Sequence, residues 1–590
     1  MDGASLAVLA NRFDSVVRAM TNTLLRTSRS GVVNTARDFS CCVVDASDRL
    51  LAIAESLPIH VLGGPELMTR SMKELHPNLK PGDAFLHNSP YHGNTHPADF
   101  TILIPVFDDN DRHRFSVLAK SHQADCGNAQ PTTYVADARD VYEEGGVIFP
   151  CVKVQEDYEH VEDIVRLCRQ RIRVPSQWWG DHLALVGAAR VGERRLLDLA
   201  SDVGWHQIEA FADAWHAYGE LRMRAAIREL SEGVLVVETA HDPFPNVPEG
   251  IPIRVNVSVE PTEERILVDL TDNPDCQPCG LNLSEATSRA AVLIGVYNSI
   301  DPSVPANSGS MSRVDIRLRE NCVVGIPRHP ASCSVATTNV MDRVANAVQR
   351  AIAEISPGNG LAECGLGMPP SVGVISGNDP RLAGSPFINQ LVFAWTGGPG
   401  GPSEDGWLNA GGVGDGGIVY RDSVEIDELL HPIRIVRQEI IPNSEGAGEY
   451  CGAPGAVAEY GPVDTDLEVM YVSDGAINPP QGARGGTPGS QANQFVRRSD
   501  GSLENVAPCD HFVLRPGETV ISMSTGGGGY GSPLKRDTQR VARDVREGWV
   551  TPDRARDVYG VIVTADGLID QAATAACRDY LSERDAQIYS

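Results

Sequence analysis

Apolar residues recur at intervals of three and four from Leu6 through Leu9, Phe13, Val16, Val17, Met20 and Leu24, a spacing that predicts an amphipathic helix over residues 6–25. The pattern then shortens. Cys41–Val44 and Leu50–Ile53 are compact apolar runs joined by the turn-forming Asp45-Ala46-Ser47-Asp48, which predicts a β-hairpin with Asp45 at a strand end. Further strands are expected at Ala84–Leu86, at Phe100–Phe107, and along HRFSVLAKSHQADCGN. Helical spacing returns from His160 to about Ile227, alternation from Val234 to Leu270, and helices again at Ala290–Asn298 and Asp342–Ile355. From Pro380 to Tyr530 the chain is glycine-rich with short strands, and a helical tail begins near Pro533. These shifts predict an α+β, multidomain mixed fold divided at 1–232, 233–375, 376–532 and 533–590, without repeats of fixed period.

Two polar loops interrupt the strand pattern with the same spacing. NTHPADF carries His96 and Asp99 ahead of one strand, and KSHQADCGN carries His122 and Asp125 after the next. If those strands pair as a hairpin, both loops reach the same end of one sheet. Imidazole and carboxylate are good ligands for Zn, Mn or Fe, and an open position leaves room for an activated water. His-x-x-Asp alone is a weak signal, so a metal centre and two ordinary polar loops both remain readings of the spacing. His60 and His92 lie nearby in the chain.

Composition narrows the classes. A chain of 590 residues with 42% hydrophobic and 22% charged residues is long enough for several packed cores. The formal charge of −28, from 78 acidic and 50 basic residues, repels nucleic acid and anionic membranes. No run of 18 uncharged apolar residues occurs. The N-terminus lacks the basic-then-apolar order of a signal peptide, so the 13 cysteines read as reduced thiols and a cytoplasmic location is expected. Cys276 and Cys279 (CQPC) form half of a zinc-ribbon spacing with no second half, which favours a plain loop, and Cys126 reads first as a packing residue. Gly526, Gly528 and Gly531 match G-x-G-x-x-G, but Pro533 follows and no βαβ unit is completed. A structural glycine turn is the stronger reading. No Walker-type G-x-x-x-x-G-K-[ST] and no G-x-S-x-G elbow is present, and SGSMSR (Ser308–Arg313) reads as a structural turn.

RDFSCCVVD, LPIHVLGG, PGDAFLHNSPYHGNTHPADFTILIPVF, KSHQADCGN, YEEGGVIFP, RVPSQWWGDHLALVGAARVGERRL and the C-terminal GGGGYGSPLKRDTQRVARDVREGWVTPDRARDVYGV together resemble, in order, the B-type subunit of the hydantoinase/oxoprolinase family. The resemblance implies a heteromeric, ATP-dependent enzyme, either a cyclic amidohydrolase or a ketone carboxylase of the acetone or acetophenone type. An A-type subunit, expected in an α2β2-like assembly, would bind ATP and Mg and phosphorylate the substrate oxygen. This chain would carry one divalent transition metal, Zn first and Mn or Fe next. The family motif maps onto His96, Asp99 and His122, with Asp45 as the expected fourth ligand. Asp125 is the expected residue orienting His122 or acting as base, and Glu144 a further base. A non-catalytic scaffold is the remaining alternative. Two departures stand out: Asn88-Ser89-Pro90 replaces the usual Asn-Asp-Pro, and GGVGDGGIVYRDSVEIDE (Gly411–Glu428) occupies the place of a His-x-Thr-Asn-Thr motif, so substrate is not transferable from any one member.

Overall fold

The computed structural model describes residues 1–394, 396–408 and 411–588. Seven antiparallel strands form the N-terminal sheet: β1 (Phe39–Asp45), β2 (Leu50–Ala52), β3 (Ala84–His87), β4 (Asp99–Phe107), β5 (His113–His122), β6 (Val152–Glu156) and β7 (Glu159–His160), in the order β2-β1-β5-β4-β3-β6-β7. Its central strands are apolar on both faces because both faces are covered. Cys41, Val43, Ile102, Ile104, Val117 and Ala119 pack into one core with α1 (Gly3–Thr27) and α2 (Pro175–Val203). Their alternates Cys42, Val44, Leu103 and Leu118 pack into a second core shared with the middle of the chain. Phe13 anchors the first, stacking on Phe211 at 5.0 Å and meeting Phe115 edge-on at 5.8 Å.

The second core continues under a four-stranded sheet, β8 (Gly233–His241), β9 (Ile251–Glu260), β10 (Arg265–Asp269) and β11 (Val314–Arg317), ordered β11-β10-β9-β8. Against it lie α3 (Glu285–Tyr297) and α4 (Val340–Ile355), both nearly encircled by apolar neighbours. The division expected at residue 232 is thus a change of sheet, while the apolar core runs across it. The division expected between 375 and 376 falls inside a strand, Val374–Asp379, which pairs with both Ser385–Gln390 and Leu467–Ser473. A sheet assembled from distant segments ignores the local composition shift that suggested the boundary. A further five-stranded sheet is built from Ile433–Ile440, Ala456–Pro462, Thr519–Met523, Asn493–Arg497 and Leu503–Asn505. The helical tail docks on this region: Val541, Ala555, Tyr559 and Val561 share a small core with Ala447 and Cys451. Arg536, almost fully buried, pairs with Asp405 and Asp544 beneath it.

The four-glycine run near the C-terminus is interior packing. A Cβ on Gly526, Gly527, Gly528 or Gly529 would sit 1.8, 2.0, 2.1 or 2.1 Å from the carbonyl oxygens of Ser444, Gly398, Gln481 and Ala447. The N–H groups of Gly527, Gly528 and Gly529 donate to Ala453, Glu363 and Thr487 carbonyls. A phosphate-binding loop needs such N–H groups turned toward its ligand, so the dinucleotide reading of this run fails on geometry.

Gly527→Ala is expected to destabilise the fold by about 3 kcal/mol or more, because backbone presses from the facing segment. Gly187→Ala in α2, where an added methyl meets nothing within 4 Å, is expected to stabilise by about 0.5–1 kcal/mol. Thermal denaturation of the two variants beside the parent checks both signs.

Candidate metal centre

Pairing of β4 with β5 sets Asp99 directly opposite His122. The turn before β4 is tied so that His96 comes to the same place: Asn94 Nδ2 donates to the carbonyls of His96 and Asp99, and the Asp99 N–H donates to the His96 carbonyl. His96 Nε2 lies 3.0 Å and His122 Nδ1 3.3 Å from Asp99 Oδ1. All three residues are buried, and among the described residues they are the only set of three or more such side chains that could hold a metal, their donor atoms lying within 4.8 Å of one another.

The surroundings orient each ligand group. His96 Nδ1 sits 2.8 Å from the Ser334 carbonyl, which can only accept, so Nδ1 carries the proton and Nε2 is the lone-pair nitrogen. Thr95 Oγ1 donates to Asp99 Oδ2, and Lys120 Nζ donates to Thr95 Oγ1. His60, on the short helix Pro58–Val61, places Nε2 3.2 Å from Asp99 Oδ2, with Nδ1 beside Ser40 Oγ at 3.1 Å. Burial alone would raise the Asp99 carboxyl. The nearby His96 and His60, with hydrogen bonds from His122 and His60, outweigh it and hold the group well below the usual carboxylate range. Burial lowers His122 and His60. Lys120, also buried, is pushed down to about 8.

His60, His96, Asp99 and His122 line a cavity of about 90 Å³. Asp38 joins them there, its backbone carbonyl accepting the His122 N–H and its Oδ1 lying 3.6 Å from His60 Nε2. Apolar walls come from Ile59, Tyr134, Val335, Met368, Val372 and Val392. The segment that departs from the family pattern also lines the cavity, through Gly411, Gly412, Asp415, Val419 and Arg421, with Asp342 at the start of α4. Burial, reinforced by Asp415, pushes Asp342 up to about 8 against the bonds from Asn339 and Gly367, and burial pushes Asp415 up to about 6.

Asp45 is elsewhere. β1 runs antiparallel to β5 with Phe39 opposite Ser121 and Asp45 opposite Phe115, so Asp45 lies at the other end of the strand, roughly 20 Å along it. There it accepts the Ser47 and Arg49 N–H groups and pairs with the Arg49 guanidinium. The carboxylate that β1 does bring to the centre is Asp38, one residue before the strand, and the hairpin reading missed it by choosing the wrong strand end. Asp125 is not on the cavity wall either. Its oxygens accept the N–H groups of Gly127 and Arg173, which pins the loop after β5 and leaves His122 to be oriented by others. Glu144 is buried behind His96, receives the Ser332 hydroxyl at 2.7 Å, and is raised by that burial. It bonds Ser332 in the turn segment that carries Ser334 and does not line the cavity. Ser89, at the first departure from the family pattern, bonds His92 Nδ1 at 2.8 Å, and neither residue lines the cavity. Cys126 is buried, and its thiol is driven well up by burial and then by Asp125 and Glu144, which suits packing.

A family model described as Hydantoinase B/oxoprolinase matches residues 2–533. The chain is 29% identical over 584 residues to the caprolactamase subunit beta of Pseudomonas jessenii, covering 98% of this chain and 99% of that one. The crystal structure of the ATP-dependent caprolactamase from Pseudomonas jessenii superposes with a TM-score of 0.87 at 27% identity, covering 98% of this chain and 100% of its own. A nucleotide-free structure of acetone carboxylase gives a TM-score of 0.88 at 18% identity, over 100% of this chain and 84% of that one, which shows a shared fold. Among the described residues no helix is long and apolar enough to cross a membrane.

The raised Asp342 carboxyl has a measurable signature. A buried acid whose folded pKa exceeds its unfolded value contributes stability at low pH that is lost as pH climbs through the folded pKa. With 3.8 as the ordinary value and about 8 in the fold, stability is expected to fall between about pH 5 and about pH 8. Asp342→Asn, which keeps an oxygen for the Asn339 N–H, is expected to flatten that slope in urea titrations at the two pH values.

Proposed function

The chain belongs to the hydantoinase B/oxoprolinase family, and from that membership and the centre just described we propose that it is the metal-carrying subunit of an ATP-dependent cyclic amidohydrolase. The carrying observation is the buried His96–Asp99–His122 set lining an enclosed cavity of mixed polar and apolar wall. The 3.0 Å between His96 Nε2 and Asp99 Oδ1 suits ligands that each sit about 2.0–2.2 Å from a shared ion. His96 Nε2 and His122 Nε2 are buried without a hydrogen-bond partner, a cost the fold carries only where something else satisfies a nitrogen. Two imidazoles and a carboxylate fit a divalent transition metal, Zn first and Mn or Fe next. Such an ion polarises a carbonyl-type oxygen and lowers the pKa of a bound water from 15.7 to about 7.

The protein's own contribution is orientation and exclusion. Ser334 fixes the His96 tautomer, Thr95 and His60 hold Asp99 through its second oxygen, and Lys120 holds Thr95. The metal ligands are therefore set by hydrogen bonds made before substrate arrives. Apolar walls keep bulk water from an activated, hydrolysable intermediate. An unactivated ring amide is a poor electrophile, and phosphorylation of its oxygen by a partner of the A type, which binds ATP and Mg, divides that barrier into two smaller ones. No Walker-type loop occurs in this sequence, and the glycine run has spent its N–H groups on packing, both of which support placing the nucleotide on the partner. An α2β2-like heteromer is the arrangement we favour. The fold is equally that of acetone carboxylase, so a ketone carboxylase is the second reading.

Purified chain is expected to carry about one transition metal by elemental analysis, and His96→Ala to lose both the metal and ring opening by at least about 100-fold while the partner still hydrolyses ATP. Asp45→Ala is expected to retain the metal. Retention of metal by His96→Ala, or turnover that requires bicarbonate and a ketone, would replace the hydrolase reading.

A further inference from the structure

Gln390, at the end of the strand Ser385–Gln390, lines the cavity and is 94% buried by its 6% exposure. Its amide nitrogen lies 3.5 Å from the Val372 carbonyl and 3.7 Å from Met368 Sδ, which turns the nitrogen to the wall. Its Oε1 is buried and accepts nothing from the protein. A buried acceptor without a donor is rare and asks for a ligand that supplies one. On the same cavity, Asp415 is fixed by the Gly412 N–H on Oδ2 at 2.9 Å, within the segment that departs from the family pattern. Asp342 lies beside it, with its own Oδ2 taken by the Asn339 N–H.

We propose that Gln390 and Asp415 read the ring N–H groups of the substrate, selecting small rings that present an N–H donor to each over rings with one such donor and over ketones with none. The reading rests on the amidohydrolase assignment above. The metal ligands lining the cavity can hold the reacting carbon and oxygen of any carbonyl compound, so they cannot distinguish a ring amide from a ketone. Acceptors elsewhere on the wall can, because an N–H turned toward Gln390 Oε1 fills a vacancy that a methylene or N-methyl group leaves open. Val419, Met368 and Val392 add apolar surface to the same wall.

The test uses the enzyme reconstituted with its ATP-hydrolysing partner and five probes: hydantoin, 1-methylhydantoin, 3-methylhydantoin, 2-pyrrolidinone, and acetone with bicarbonate. With the parent enzyme, removing either donor by methylation is expected to lower kcat/KM roughly tenfold or more, mainly through KM. Gln390→Met and Asp415→Asn are each expected to erase one of the two methylation penalties to within about threefold while leaving the metal content unchanged. Equal turnover of methylated and unmethylated rings by the parent enzyme, or both penalties persisting in both variants, overturns the assignment while the hydrolase reading stands. If no ring is opened and acetone is consumed with bicarbonate, the hydrolase reading falls and this inference with it. The methylation series on the parent enzyme decides the matter even if a variant fails to fold.

Discussion

The register between β4 and β5 is the constraint on which the centre depends. Side chains on paired strands meet only where the ladder sets them opposite one another, and a slip of one residue would send Asp99 and His122 to opposite faces. The register is held because alternate residues of β4 and β5 enter two different apolar cores: Ile102, Ile104, Val117 and Ala119 on one side, Leu103 and Leu118 on the other. A slipped strand would have to exchange these sets, and both are buried. The polar cluster therefore has its geometry fixed by hydrophobic packing some distance along the same strands.

Around that pair the fold adds groups from far along the chain. Ser334 arrives from the turn before α4, His60 from a one-turn helix, and Gln390, Asp415 and Arg421 from the glycine-rich region. The division of labour follows from this assembly. The N-terminal sheet brings His96, Asp99 and His122 together on a rigid ladder, and the later segments supply much of the remaining cavity wall.

Glycine explains why the later segments reach the site. Gly526–Gly529 let backbone from Ser444, Gly398, Gln481 and Ala447 approach to distances that no Cβ permits. That close stacking, with the tail helices docked over it through Arg536 and its two carboxylates, holds in place the loops that connect to the cavity wall.

The sequence by itself determined the N-terminal helix over residues 6–25, the hairpins, the helical stretch to about Ile227 and the change to alternating strands after it, because each is written in a local periodicity of 3.6 or 2. It also determined that His96, Asp99 and His122 could meet, since a short hairpin connection leaves antiparallel neighbours few registers. Only tertiary structure decided that Asp38 and not Asp45 accompanies them, because the two lie at opposite ends of one strand and the local pattern around each is polar. Only tertiary structure turned Asp125 and Glu144 into braces, paired the strand across residues 375 and 376, and left Gln390 Oε1 without a donor. Those outcomes depend on partners hundreds of residues away, and no local spacing encodes a contact made across a cavity.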